Sequence, residues 1–256
     1  MEDNIEKLAE SLRAEFAKKV DTYKKEVLDS PSFVSQQNYL ARFTSDFILA
    51  LRSVSIYSTR AKDMYDNFLT IRAIDDLLQS VVQIQFMIEN GIHNPVRREL
   101  RYLIEMMTKY LTVDYEKMGE SITVKTQYLA DNIPRSSIDV IDRCSLPFTA
   151  TKNEELRGEV TDLFKKACAY VHPSKKQVDE QLKNYDKGAY IGFETVKMIV
   201  DLNKVTFRVY DILLVMLFHG FGPSMTKDLF ESSFNDQKGW KFHKGKYTKE
   251  LAATFK

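Results

Sequence analysis

The sequence predicts an all-α protein, an irregular bundle of about seven helices with a long N-terminal helix. Three observations carry this. Nine glycines and six prolines in 256 residues are roughly half of average usage. Apolar residues recur every three or four positions over most of the chain, the period of a helix face. No alternation of strand-like and helix-like segments occurs that would build βαβ units.

The elements follow in order. Over residues 2–28 the apolar set Ile5, Leu8, Leu12, Phe16, Val20, Tyr23 and Val27 has gaps of three or four throughout, which predicts one helical stripe. Ser30-Pro31 breaks it, as an N-cap followed by a first helical residue. A second helix is expected over 33–58, with Phe43, Phe47, Leu51 and Val54 on one side. A third is expected over 62–89, ended by Asn90-Gly91. Pro95 opens a fourth, over 95–117. The stretch 118–151 is richer in Pro, Ser, Thr and Asp. It reads as a long connection with short helices at 122–130 and 137–143. A fifth helix covers 152–171 and stops at Pro173, and 175–185 is a short sixth. Gly188 to His219 forms a seventh, halted by Gly220-Phe-Gly-Pro223, and 224–234 a small eighth. The one strand-like stretch lies at 240–248, around Lys244-Gly245. Three units are expected: an N-terminal helix at 1–30, a helical bundle at 31–236 and a basic tail at 237–256.

Composition narrows the function classes. Apolar residues make up 44% and charged residues 29%, ordinary for a soluble globule. The 37 basic and 36 acidic residues leave a net charge of +1, so nucleic-acid binding by the whole surface is not expected. Cys144 and Cys168 show no CxxC spacing, which points to a reducing cytoplasm. The charged start lacks the pattern of a secretory leader. Arg208 and Asp211 interrupt the most apolar stretch, Val205 to Phe221, which reads as a core helix and not a membrane span. Phosphate-loop, dinucleotide, zinc-protease and calcium-loop signatures are absent. No two of His93, His172, His219 and His243 have metal-ligand spacing. No cofactor and no metal are expected.

Two local patterns carry chemistry. On the fourth helix Leu100, Leu103, Ile104, Met107 and Leu111 mark the core face. At about 100° per residue, Arg97, Arg101 and Glu105 lie roughly 60°, 100° and 140° from it. The two arginines suit a phosphate or carboxylate, or Arg101 and Glu105 simply pair along the helix. The second pattern is Tyr170-Val-His-Pro-Ser174, where a helix end favours a charged His172 able to act as acid, base or anion donor. Its structural alternative is Ser174 capping the next helix, with Gln177 completing a capping box. Cys168, one turn before His172, reads as a small buried residue or as half of a Cys-His pair. His93 reads as an exposed loop residue, and His219 as a helix-end residue. In the tail, Lys238, Trp240, Lys241 and Lys244 combine cations with an aromatic, which suits phosphate contact and base stacking. The alternative is a segment whose aromatics pin it to the bundle.

Arg101-Tyr-Leu-Ile-Glu105 followed by Val171-His-Pro-Ser174 resembles the R-x-L-x-E helix and V-H-P-S corner of DUF5677-like bacterial helical proteins, over residues 60–220. The resemblance implies an all-α fold and no established reaction. All-α bacterial proteins of similar look act in abortive infection and toxin–antitoxin systems, which prompts comparison with the HEPN ribonucleases. Their motif, an arginine five to seven positions before a histidine, is absent at all four histidines. The leading expectation is therefore a helical binding protein of a bacterial defence locus. Its polar pocket would use Arg97, Arg101, Glu105, Tyr170, His172 and Ser174 to hold an anionic ligand or RNA. The alternatives are a metal-independent ribonuclease-like enzyme with Arg101, Glu105 and His172 as catalytic residues, and a structural protein that oligomerises through residues 5–27.

Overall fold

A computed structural model describes residues 2–144, 146–171, 174–186 and 195–255. It is all-α, and no strand occurs among the described residues. Helix α1 (Glu2–Tyr23) runs into a π-helical turn at Lys24–Leu28. Ser30 then caps α2 (Pro31–Ser58). Its Oγ accepts from the Phe33 backbone N–H at 3.3 Å, with Pro31 in the first turn, as the Ser-Pro pair predicts.

The helix expected over 62–89 is instead three pieces: α3 (Lys62–Tyr65), α4 (Leu69–Arg72) and α5 (Ile74–Glu89). The cause sits 45 residues further on. Asp114 accepts from the Leu69 N–H at 3.0 Å and the Thr70 N–H at 2.9 Å. It also accepts from Thr70 Oγ1 at 2.8 Å, so a distant carboxylate restarts the helix at residue 69. Lys125 completes the group with Nζ 2.9 Å from Asp114, and its ammonium lies over the Phe68 ring. Both charged side chains are buried.

Helix α6 (His93–Glu116) begins two residues earlier than expected, so His93 is a buried helical residue and not part of an exposed loop. Then come α7 (Ile122–Asn132), a 3-10 turn at Asp139–Arg143, α8 (Ala150–Cys168) and α9 (Lys175–Asp186). Ser174 opens α9. Its Oγ accepts from the Gln177 N–H at 3.2 Å and donates to the Ala169 carbonyl at 2.7 Å. Helix α10 (Val196–Phe221) is the central element, packed on α2, α4, α6 and α8. The expected start at Gly188 falls in 187–194, outside the described residues. Against α4 it approaches so closely that a Cβ on Gly220 would sit 2.7 Å from Thr70 Oγ1. Gly222, with φ at 91°, turns the chain into α11 (Pro223–Leu229).

The expected strand at 240–248 is a 3-10 turn at Lys241–Lys244 followed by α12 (Thr248–Ala253). Asp211 explains the change. It accepts from the Tyr247 N–H at 2.9 Å and the Thr248 N–H at 3.0 Å, which caps a short helix. The segment expected to be a separate tail packs Trp240, Phe242, Tyr247 and Leu251 into the same core as α2, α5, α6, α8 and α10. Aromatic spacing reads alike for a tail and for a core edge, and only the groove between α2 and α10 distinguishes them. Among the described residues no single helix is long and apolar enough to cross a membrane. Helix α10 passes that test only together with the segment after it, bent by 119°, and most of α10 is buried core.

Candidate functional site

The four-residue stripe on α6 meets the C-terminal end of α8. Arg97 lies 4.3 Å over the Tyr170 ring, and its Nη1 donates to Asn94 at 3.2 Å. Arg98 donates through Nε to the Tyr170 carbonyl at 2.7 Å. The guanidinium of Arg101 sits 4.7 Å over the Phe164 ring, and its Nε donates to Cys168 Sγ at 3.2 Å. Its Nη2 is 3.1 Å from Glu105, which also pairs with Lys109 at 2.5 Å. Lys109 in turn donates to the Arg135 carbonyl at 2.7 Å. Three arginines thus cover a helix end whose carbonyls carry partial negative charge.

Arg97 and Arg101 meet the Phe164–Tyr170 segment directly, and Glu105 is linked to it through Arg101. Sequence reasoning passed over Arg98 and Lys109, although Lys109 continues the same four-residue spacing. His172 and Pro173 lie outside the described residues. The hydroxyl of Ser174 is engaged in capping, and Arg101 already serves a carboxylate, a sulfur and a ring. Cys144, the other thiol, is buried beside Thr112, and burial pushes its pKa up to about 11.

The second polar cluster joins the C-terminal segment to α8 and α10. Glu159 accepts from Arg208 at 2.8 Å, Lys246 at 2.8 Å and the Tyr247 hydroxyl at 2.9 Å. Lys246 also meets Glu155 at 2.6 Å, and Lys152 bridges Glu155 and Glu250. A cavity of about 300 Å³ lies here, lined by Glu159, Phe207, Arg208, Asp211, Lys244 and Lys246. Burial pulls Glu159 upward, but Lys246, Arg208 and Tyr247 together hold it below the usual range. Lys152 and Lys246 lower Glu155 to about 2. Burial raises Asp211 despite the donors from Thr248 and Tyr247.

These shifts fix a sign. Glu155 and Glu159, depressed in the folded state, contribute stability above their unfolded values that is lost as pH falls toward 2. Asp211, raised, works in the opposite direction as a single group. We expect the C-terminal segment to loosen between about pH 4.5 and 2. The one tryptophan, Trp240, reports it through a red-shifted emission. An emission maximum that stays blue down to pH 2 would contradict this assignment.

The sequence offered Lys238, Trp240, Lys241 and Lys244 as a nucleic-acid surface. Trp240 is buried, stacks on Phe234 with centroids 4.3 Å apart and donates through Nε1 to the Asp46 carbonyl at 3.0 Å. Its ring therefore has no face open to a base. The Lys241 backbone N–H is held by Asp46 at 2.7 Å, and its ammonium lies 5.8 Å from the Tyr39 ring centroid. Lys238 and Lys244 are exposed. Among the described residues no group of three or more His, Cys, Asp or Glu side chains could hold a metal ion.

The longest row of exposed apolar residues is on α1. Ile5, Leu8, Leu12 and Phe16 are 65%, 62%, 57% and 55% exposed. Among the described residues α1 meets chiefly the π-helical turn that continues it. A shorter stripe, Leu78, Val82 and Phe86, lines a shallow groove on α5.

No family model, curated protein or solved structure matches the chain. Within the two motifs behind the bacterial resemblance, Arg101 pairs with Glu105 and Ser174 caps α9.

Proposed function

We propose that the protein is a helical interaction protein that self-associates through α1. The observation that carries this reading is the row of exposed apolar residues Ile5, Leu8 and Leu12 on α1. Water-exposed apolar stripes of this length mark interaction surfaces, and helices draw most of their stability from a packed apolar face. The polar stripe Arg97–Lys109 then acts as a brace that fixes α8 against α6. A ribonuclease reading would require Arg101 to reach a phosphate, whereas its guanidinium is committed to Glu105, Cys168 and Phe164. A setting in bacterial defence rests on the motif resemblance alone.

The test is solution mass by light scattering after size exclusion. The wild-type chain is expected to exceed its 29.8 kDa monomer mass, and Leu8→Glu/Leu12→Glu to elute as a folded monomer. Equal masses for the two would overturn the reading. So would cleavage of total RNA by the wild-type protein that is lost in His172→Ala.

A further inference from the structure

The inference rests on the self-association reading and names its partner and geometry. We infer that α1 pairs antiparallel with α1 of a second copy, the acidic half of each helix lying along the basic half of the other.

The charges along this segment are sorted by sign. Its first half carries four acids, Glu2, Asp3, Glu6 and Glu10, against one base, Lys7. Its second half, residues 13–23, carries three bases, Arg13, Lys18 and Lys19, against two acids, Glu15 and Asp21. The net charges are therefore −3 and +1. The helix macrodipole favours such charges only in the first and last turns. Glu6, Glu10, Lys18 and Lys19 lie beyond those turns, because the helical path continues through the turn ending at Leu28. A parallel pair would set −3 on −3 and +1 on +1. An antiparallel pair centred near Leu12 sets the −3 half on the +1 half, with Glu6 level with Lys18 and Glu10 within a turn of Arg13, and also opposes the two macrodipoles.

The apolar stripe has the matching symmetry. From Ile5 to Val20 its gaps run three, four, four, four, nearly the same in either direction about Leu12. An antiparallel neighbour centred there places Ile5 level with Val20, Leu8 level with Phe16 and Leu12 level with itself. The seam is about 33 Å long, at 1.5 Å per residue over the 22 residues of α1.

Other occupants fit less well. The helix that bears the α5 groove carries Asp75, Asp76 and Glu89 and no basic residue over 74–89. It would repel the acidic half of α1. An anionic lipid surface favours a basic polar face along the whole helix, which this segment has only at its C-terminal half.

The test uses full-length chains carrying Ile5→Cys or Val20→Cys, alone and mixed, under mild oxidation, with wild type as control for Cys144 and Cys168. The expected result is a disulfide-linked dimer chiefly in the mixture. Stronger crosslinking of Ile5→Cys with itself would mean a parallel pair. It would overturn this inference and leave self-association standing. A wild-type chain that is monomeric would remove both. Because the cysteine variants remove apolar residues, Glu6→Lys/Glu10→Lys provides a second reading. Surface charge pairs are individually weak, so reversing two is expected to raise the dimer Kd by about tenfold. In a parallel pair the same change would relieve repulsion and tighten the dimer, which would also overturn the inference.

Discussion

Replacing Asp114 with alanine is expected to cost about 3–5 kcal/mol of stability, because it strands a buried ammonium. The carboxylate holds four donors at once: the Leu69 and Thr70 backbone N–H groups, the Thr70 hydroxyl and Lys125 Nζ. Its loss leaves Lys125, fully buried, with the Phe68 ring as its one remaining electrostatic partner among the described residues. It also uncaps α4, the short helix on which α10 packs at Gly220. Lys125→Met is expected to cost less, since Asp114 keeps three of its four donors. The double variant should recover part of the single Asp114→Ala loss, because the stranded charge is gone. Urea unfolding of the three variants checks this. Simple additivity would contradict the coupling.

Asp211→Ala is the second large effect. This buried carboxylate on α10 accepts the Tyr247 and Thr248 N–H groups and so anchors the C-terminal segment to the central helix. Each buried donor left unpaired costs about 1–3 kcal/mol. Removing the burial cost of the charge offsets part of this, and a net loss of about 2–4 kcal/mol is expected. Gly245→Ala should act on the same anchor from the other side, since its Cβ would fall 2.1 Å from Asp211 Oδ1. Both variants should shift the Trp240 emission to the red at denaturant concentrations where the helical circular dichroism is still intact. A fluorescence transition that coincides with helix loss in both would place the anchor within the global unfolding unit instead.

How much of this the chain reveals unaided depends on sequence distance. Ser30-Pro31 and Ser174 cap helices within three residues of themselves, and their positions are readable as written. The stripe Arg97, Arg101, Glu105 was legible because its spacing and its partners share one helix. Its purpose was not, because Phe164, Cys168 and Tyr170 lie about 60–70 residues away in sequence. The break before residue 69 and the cap on α12 were hidden for the same reason. In each case the responsible carboxylate, Asp114 or Asp211, sits on another helix and looks like any acid in an apolar run. Trp240 misled because lysines beside aromatics describe a nucleic-acid surface and a basic rim over a buried edge equally well. Only the contact with Asp46 and Phe234 separates the two. His172, the residue on which the sequence placed most chemistry, lies outside the described residues.

The central claim is that α1 is an association element, and its most direct test is hydrogen exchange of residues 2–23 over a range of protein concentrations. A helix whose apolar stripe faces water exchanges quickly, and one paired along that stripe does not. The account predicts that protection of these amides rises with concentration while that of α6 and α10 stays constant. Protection of α1 that is independent of concentration would contradict it.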